Sequence, residues 1–500
     1  MNRNILLATT AAAGIIGLTA LAPAQAQITQ FNINGGGSSL ATSEYIRTID
    51  AIAGTTNIWV NETTHAGQIG QVRYIGDGSG AGQKAFLIQD ATVHGYTAGQ
   101  AVHFGGSDAF LSANQISCWQ GVTAGCTAEG LTTGLATVAG GGQAVGGPII
   151  QLPAFGTPLA IAHTILYSKA VTLDDNDLCG IFSGKLTNWS QTENTPGSVH
   201  PAALNGTIGV VYRIDGSGSS FLLTQHLSRV CTTSNTASGI TFTTTKYFAD
   251  IFGSAVVSGS NKTVNPSATV ANVGNFFGAS GSTGVANLLI TKTNTVAYLT
   301  PDYTSIAPKS VPNSTGSANA WTPNASSPYL NLKTAKVYNS HQAKAYAPNP
   351  GGASVALKNP NLVNHDTNPS APSTLAQATD PSYWIPQVGD PLLGYPIVGY
   401  TALIFSQCYA DLKYTTVAGG VTTTTAYNPG TEIKAFLTQL YGSGNKTNLT
   451  LEGFTAAPTG FQSVIVKSFT KNVNGFNTDI NNTAICQAAG ASGVGTFAGL

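Results

Sequence analysis

Three short turns of glycine and serine in this chain could bind a ligand, and each one precedes a stretch with the pattern of a helix. They are Gly37-Ser38-Ser39, Gly78-Ser79-Gly80 and Ser217-Gly218-Ser219. A helix N-terminus exposes unpaired backbone N–H groups and the positive end of the peptide dipoles. Because glycine lets an anion approach this backbone and serine adds a hydroxyl donor, three converging turns predict an anion site.

One arginine and one aspartate narrow the chemistry of that anion. Arg213 stands just before the third turn, and its planar guanidinium suits bidentate contact with a phosphate-like oxyanion. Asp108 follows the apolar stretch "AVHFGGS" and would repel an anion unless the anion carries a proton. Since a carboxylate accepts a hydrogen bond from HPO₄²⁻ or H₂PO₄⁻ but not from sulfate, Asp108 predicts selection of phosphate over sulfate.

Each of these features also has a purely structural explanation. A single Gly-Ser turn is commonly only a helix cap. Arg213 could simply pair with Asp215, two residues on, and Asp108 could be a turn residue at a strand end. The combination of three turns with an arginine at one of them favours anion binding.

The stretches around the turns indicate the elements that position them. "QVRYIG" (71–76) and "IGVVYR" (208–213) are typical of β-strands, and helix-like runs follow the two turns. Strand, turn and helix in that order predict an α/β architecture with a mostly parallel sheet. A chain of 500 residues predicts two lobes, and the Pro-, Asn-, Ser- and Ala-rich stretch 311–372 predicts an irregular insertion.

The scarcity of charge limits the function classes. Asp, Glu, Lys and Arg make up 8% of the chain and the formal net charge is zero, which disfavours nucleic-acid binding because no basic patch is present. The eight histidines do not cluster at metal-ligand spacings, so no metal or other cofactor is predicted. "GSGAGQKA" is close to a P-loop, but Gln83 and Ala85 stand where glycine and a magnesium-binding hydroxyl are required.

The first 26 residues are typical of a cleaved secretory signal peptide. Arg3 precedes an apolar run that closes with Ala24-Gln25-Ala26. An uncleaved membrane anchor is the alternative. Export to an oxidising compartment predicts disulfides among the six cysteines, and Cys118 and Cys126 are close enough to close a local loop. Spacing alone does not pair the other four.

Six segments give the chain a resemblance to a known family. They are, in order, "NINGGGSSL", "IGDGSGAGQKAFL", "GGSDAFL", "DLCGIFSGKLTNWS", "VVYRIDGSGSSFLLT" and "YPIVGYTALIFSQCYAD". With them the chain resembles the DING proteins, in the phosphate-binding branch of the periplasmic substrate-binding proteins. The resemblance spans most of residues 28–490, apart from the insertion and other longer loops.

The resemblance implies a two-lobed, type II periplasmic-binding-protein-like α/β fold with a hinge and a ligand cleft between the lobes. It divides the chain into lobe 1 (27–155 plus 393–500) and lobe 2 (156–392, including the insertion). Carried over position by position, it implies phosphate contacts from eight residues: Ser39, Leu40, Ser79, Asp108, Arg213, Ser217, Gly218 and Ser219. Asp215 would orient Arg213.

The resemblance also implies the disulfides Cys179–Cys231 and Cys408–Cys486, which leaves Cys118–Cys126 as an addition in this chain. Ser39 and Ser219 stand where relatives often have threonine, and both keep the hydroxyl donor.

Three functions follow as hypotheses. The leading one is periplasmic or extracellular binding of inorganic phosphate for uptake or scavenging, with the membrane component of an ABC importer as a candidate partner. The second is a phosphatase, since some relatives are linked with phosphomonoester hydrolysis. The third is a surface protein that self-assembles on this fold, which the charge-poor composition would fit.

Overall fold

The fold is described from a computed structural model. The structure describes residues 27–29, 31–56, 58–60, 70–166, 170–194, 204–253, 255–265, 272–306, 310–312, 321–323, 328–358, 372–386, 388–486 and 493. The predicted signal peptide, 1–26, lies outside these residues.

Strands and helices alternate along the described chain. The strands are β1 Gln27–Thr29, β2 Phe31–Gly37, β3 Ile58–Val60, β4 Gly70–Ile75, β5 Phe104–Ser107, β6 Ile149–Pro158, β7 Ala160–His163, β8 Thr172–Leu173, β9 Gly209–Arg213, β10 Val256–Ser258, β11 Asn261–Thr263, β12 Phe276–Ala279, β13 Thr295–Leu299, β14 Ser310–Pro312, β15 Trp321–Pro323, β16 Lys333–Thr334, β17 Lys336–Asn339, β18 Lys344–Tyr346, β19 Val398–Ser406, β20 Leu412–Ala418, β21 Val421–Tyr427 and β22 Thr455–Ala456. The α-helices are α1 Thr42–Thr56, α2 Ser79–Ile88, α3 Ala113–Trp119, α4 Thr123–Ala128, α5 Gly141–Gly146, α6 Asp175–Ser183, α7 Gly218–Val230, α8 Gly281–Ile290, α9 Pro350–Leu357, α10 Leu375–Thr379, α11 Pro429–Leu440, α12 Asn445–Leu451, α13 Thr459–Phe469 and α14 Thr483–Cys486.

Two large sheets form the centres of two lobes. The first has the strand order β22-β6-β19-β5-β2-β4-β3 and the second has the order β12-β9-β13-β7-β16. The sheets are mixed rather than mostly parallel. The pairs β2–β4, β2–β5 and β9–β12 are parallel, whereas β6, β7 and β19 pair antiparallel with their neighbours. The antiparallel strands are therefore mainly those that carry the chain from one sheet to the other.

The chain crosses between the sheets at two adjacent points. β6 in the first sheet ends at Pro158, and β7 in the second begins at Ala160. Beside this step, the backbone N–H of Leu159 donates to the carbonyl of Ile397 at 2.8 Å, just before β19 enters the first sheet. Two crossings side by side are the arrangement that a hinge requires.

Each sheet has its own apolar core. One contains Ile33, Phe155 and Leu403, and the other contains Phe182, Val210 and Tyr298, all 1% exposed or less. Ala353, Leu357 and Trp384 also belong to the first core, although the sequence-based division assigned their segment to lobe 2. Helix α9, which carries Ala353 and Leu357, packs on β6 and β19, where the first sheet would otherwise leave an apolar face exposed.

The prediction of an irregular insertion at 311–372 is wrong for much of its length. The stretch contains β15 to β18 and α9. Ala335, Val337, Ala353 and Ala356 in it have no exposed surface, so a composition rich in proline and asparagine hid short segments with a buried face. Residues 313–320, 324–327 and 359–371 of this stretch lie outside the described residues.

Three disulfides cross-link the described chain: Cys118–Cys126, Cys179–Cys231 and Cys408–Cys486, with Cα–Cα distances of 4.5, 5.5 and 5.5 Å. They are the pairs expected from the local spacing and the family resemblance. Within the part of the chain that the structure describes, no helix has the length and hydrophobicity needed to span a membrane.

Candidate functional site

The ends of five strands bring the Gly-Ser turns together. β2, β4 and β5 run parallel, so Ser38, Ser79 and Asp108 all follow strands that end at the same edge of the first sheet. β9 and β12 do the same in the second sheet and deliver Arg213 and Ser282. The two edges face each other. This is the edge at which open α/β sheets bind their ligands.

The carboxylate of Asp108 accepts hydrogen bonds from three hydroxyls of its own lobe. Ser38 Oγ lies 2.7 Å from Oδ1 and 2.8 Å from Oδ2. Thr401 Oγ1 is 2.5 Å from Oδ1, and Ser79 Oγ is 3.2 Å from Oδ2. Asp108 is only 2% exposed, so its acceptor capacity is turned entirely toward protein donors and toward the space between the lobes.

Burial sets the electrostatics of this carboxyl group. It raises the pKa of Asp108, while the hydroxyl hydrogen bonds and the charge of Arg213 act in the opposite direction. In its ionised form a carboxylate has only acceptor sites, and it gains from a ligand that donates a hydrogen bond to it. Asp108 is therefore suited to accept a hydrogen bond from a protonated ligand.

Ser79 links the two lobes directly. Its hydroxyl donates to Asp108 and accepts from the backbone N–H of Gly218 at 3.1 Å, and Gly80 N–H donates to the carbonyl of Gly216 at 2.8 Å. Gly218 must be glycine here, because a Cβ at this position would lie 2.2 Å from the Asp108 Cβ. The N-termini of α2 and α7 thus meet at the carboxylate.

Arg213 is held by Asp215 in a bidentate ion pair. Nε donates to Oδ1 at 2.7 Å and Nη2 donates to Oδ2. Burial would raise the pKa of Asp215, but the hydrogen bond and charge of Arg213 outweigh it and lower that pKa. Nη1 donates to Ser282 Oγ at 3.2 Å, and Ser282 Oγ lies 3.1 Å from Ser39 Oγ on the other lobe.

Some of the residues expected to contact the anion belong to the hydrogen-bonded cluster, and others lie beside it. The hydrogen-bonded cluster contains Ser39, Ser79, Asp108, Arg213 and Gly218. The Ser217 hydroxyl accepts from the Ser220 N–H at 3.3 Å and so caps α7. Ser219 lies buried in the first turn of α7, and Leu40 is 1% exposed just before α1.

Sequence reasoning missed three hydroxyls in the cluster. The sequence identifies Ser38 only as part of its turn, and Thr401 lies inside β19, where nothing in the sequence marks a threonine that faces Asp108. Ser282 had a usable signal, because Ser280-Gly281-Ser282 follows the apolar β12 and begins α8. It is a fourth strand-to-helix turn of the kind already recognised.

The cluster is shielded from solvent. Ser79, Asp108 and Arg213 are each 2% exposed or less, so a ligand held among them would lose its water and would need the hydrogen-bond donors of the cluster in exchange. Among the described residues, no three histidine, cysteine, aspartate or glutamate side chains are grouped so as to hold a metal ion.

Known proteins similar to this chain share its length as well as its fold. The family model for the PBP superfamily domain matches residues 22–352. Alkaline phosphatase L of Pseudomonas aeruginosa strain UCBPP-PA14 is 29% identical over 496 residues, which cover 96% of this chain and 97% of that protein. A protein named phosphate-binding protein, from an unknown prokaryotic organism, is 27% identical over 475 residues, or 92% of this chain and 99% of its own.

Solved structures similar to this chain include two proteins that are named phosphate-binding proteins. A high-affinity periplasmic phosphate-binding protein called PfluDING, determined with bound phosphate, superposes with a TM-score of 0.60 at 26% identity. The match covers 91% of this chain and 98% of that one. The phosphate-binding protein from Stenotrophomonas maltophilia gives a TM-score of 0.60 at 25% identity, over 93% and 99% of the two chains.

Proposed function

This chain belongs to the PBP superfamily, and from that premise we propose that it binds inorganic phosphate between its two lobes. The observation that carries the proposal is the position of Asp108. This carboxylate is buried where the N-termini of α2 and α7 meet, with Arg213 on the facing lobe. Donors would surround the ligand, and the Asp108 carboxylate would accept a hydrogen bond from the protonated oxygen that distinguishes hydrogen phosphate from sulfate.

The relatives support phosphate as the ligand. PfluDING and the protein from Stenotrophomonas maltophilia are phosphate-binding proteins by name, and the first was determined with phosphate bound. The chain covers nearly all of both, so the proposal needs no segment that this chain lacks.

Retention of phosphate by the purified protein tests the proposal. A tight binder copurifies with its ligand, so unfolding the wild-type protein should release about one phosphate per chain. Arg213→Ala should release none, because loss of the buried guanidinium is expected to lower affinity about 100-fold or more. Arg229→Ala is the matched control, since Arg229 is an exposed arginine at the other end of α7. Equal phosphate in all three proteins, or none in the wild type, would contradict the proposal.

Phosphatase activity is the second candidate, and the names of the relatives from Pseudomonas aeruginosa favour it. Hydrolysis would require a nucleophile or an activated water within the same pocket. Turnover of a chromogenic phosphate ester by the purified chain, abolished by Asp108→Asn, would establish it. Release of phosphate on unfolding without any turnover would assign the chain to binding alone.

We place this binding outside the cytoplasm, on the strength of the signal-peptide-like segment at 1–26 and of three disulfides. Delivery of the phosphate to the membrane component of an ABC importer is the role that this location would serve.

A further inference from the structure

A wide groove runs between the lobes beside the anion pocket. It encloses about 810 Å³ and is lined by both lobes, with Gly80 and Glu129 on one side and Gly216, Lys246 and Tyr247 on the other. Gly80 and Gly216, whose backbones are hydrogen-bonded at 2.8 Å, line the groove next to Ser79 and Ser217 of the anion-site candidates. Any separation of the lobes that releases a ligand must break contacts along this groove.

Lys246 holds the second-lobe half of the pocket through its backbone. Its carbonyl accepts a hydrogen bond of 2.8 Å from the backbone N–H of Ser217. Ser217 is the N-cap of α7, the helix whose first turn carries Gly218 and Ser219. The position of Lys246 is therefore fixed relative to the amide groups that face Asp108.

The side chain of Lys246 crosses the groove to the first lobe. Its ammonium donates to Gln83 Oε1 at 2.9 Å and lies 3.8 Å from Glu129 Oε2. Gln83 in turn donates from Nε2 to Ser107 Oγ at 3.1 Å and to the Ala109 carbonyl at 2.6 Å. Ser107 and Ala109 flank Asp108 in the chain, and Gln83 is only 1% exposed.

We propose that Lys246 is a positioning residue that fastens the lobes in the closed, phosphate-holding arrangement. The inference rests on the proposed phosphate binding. A single lysine joins the N-cap of α7 on one lobe to the segment around Asp108 on the other, without itself touching the anion cluster. When the lobes separate, the ammonium loses Gln83 and Glu129 together, so the contact favours the closed state selectively.

The contacts of the Lys246 ammonium with Gln83 and Glu129 are more buried than those of an ordinary surface ion pair. The Lys246 side chain is only 21% exposed, and burial lowers the pKa of its ammonium although Glu129 opposes that shift. A largely desolvated charge that donates to a fixed acceptor is held more strongly than a solvated one. Loss of the Lys246 ammonium should therefore increase the dissociation rate of the ligand.

The test compares phosphate release from Lys246→Met, Lys246→Arg and Lys262→Met by stopped-flow with a phosphate scavenger. Lys262 is the matched control, because it lines the same groove but binds Asp250 of its own lobe, at 2.8 and 3.0 Å. We expect Lys246→Met to release phosphate about tenfold faster. Lys246→Arg should recover most of the wild-type rate, and Lys262→Met should match the wild type.

Unfolding midpoints measured without phosphate show whether Lys246→Met changes lobe closure or the stability of the fold. If Lys246 acts on closure, Lys246→Met should leave the empty protein as stable as Lys262→Met does. Equal release rates for the wild type and Lys246→Met would overturn the inference while leaving phosphate binding intact. Equal acceleration by both methionine variants would overturn it as well. Absence of phosphate binding in the wild type would instead refute the proposed function itself.

Discussion

At the scale of single residues, the selectivity that we propose for phosphate depends on one carboxylate. Asp108 accepts from Ser38, Thr401 and Ser79, and each of these donors is a hydroxyl that can rotate. Ser79 has the longest of the three contacts and also contacts the backbone N–H of Gly218. Ser79 Oγ also accepts from the backbone N–H of Asp108 at 3.0 Å, so this hydroxyl connects the carboxylate and its own backbone to the first turn of α7.

Asp108→Asn should weaken phosphate binding by about 10- to 100-fold, because a charge-assisted hydrogen bond is lost. Sulfate should lose much less, so the preference between the two anions should narrow. Burial raises the pKa of Asp108, so the ionised carboxylate costs stability at neutral pH. The empty variant should accordingly unfold at the same temperature as the wild type or at a higher one.

Titration calorimetry and thermal unfolding check both parts of this prediction. The control is Asp411→Asn, which neutralises an exposed aspartate. An unchanged ratio of phosphate to sulfate affinity in Asp108→Asn would argue against the role assigned to the carboxylate.

At the scale of elements, local sequence patterns predict the strand-turn-helix units that occur more than once in the fold. β4 and β9, the turns after them, and helices α2 and α7 could all be read from local pattern, because apolar strands and Gly-Ser caps are local signals. The resemblance to the DING proteins and the two-lobed fold are confirmed by the similar proteins. Thr401 could not be predicted, since its place beside Asp108 depends on the antiparallel pairing of β19 with β5.

A buried histidine ties α7 to two other parts of the chain. Nδ1 of His226 lies 2.9 Å from the carbonyl of Gly389, and Nε2 lies 3.0 Å from Oδ1 of Asp175, the first residue of α6. Both partners are acceptors, so both ring nitrogens must donate and the ring is the imidazolium. Burial lowers the pKa of His226, but Asp175, with a smaller contribution from Asp390, outweighs it and raises that pKa.

This raised pKa predicts a pH dependence of stability with a definite sign. The contribution of His226 is fully present below the unfolded-state pKa of about 6.5 and is lost as pH rises through the raised folded-state value. His226→Gln should therefore lower the free energy of unfolding by about 1–3 kcal/mol near pH 6, and by less under alkaline conditions.

Urea unfolding of the wild type and the variant across a pH series provides the measurement. His341→Gln is the comparison, because the side chain of His341 binds Asp390 but is 37% exposed and should matter little. A His226→Gln deficit that does not shrink with rising pH would rule out the charged histidine.

At the scale of the whole molecule, the two lobes are joined where the chain crosses beside Leu159 and Ile397, and they touch again around the anion pocket. The first contact is continuous backbone and survives any rotation of the lobes. The second includes the Ser79, Gly80, Ser282 and Lys246 contacts, which a rotation would break. Binding and release should therefore be a hinge motion whose closed state the ligand itself helps to hold.

Equilibrium binding of phosphate and of sulfate to the wild-type protein under identical conditions tests whether the two lobes close on a protonated phosphate. We predict tight, stoichiometric binding of phosphate and an affinity for sulfate at least about 1000-fold weaker. Equal affinity for the two anions, or no measurable affinity for phosphate, would contradict it.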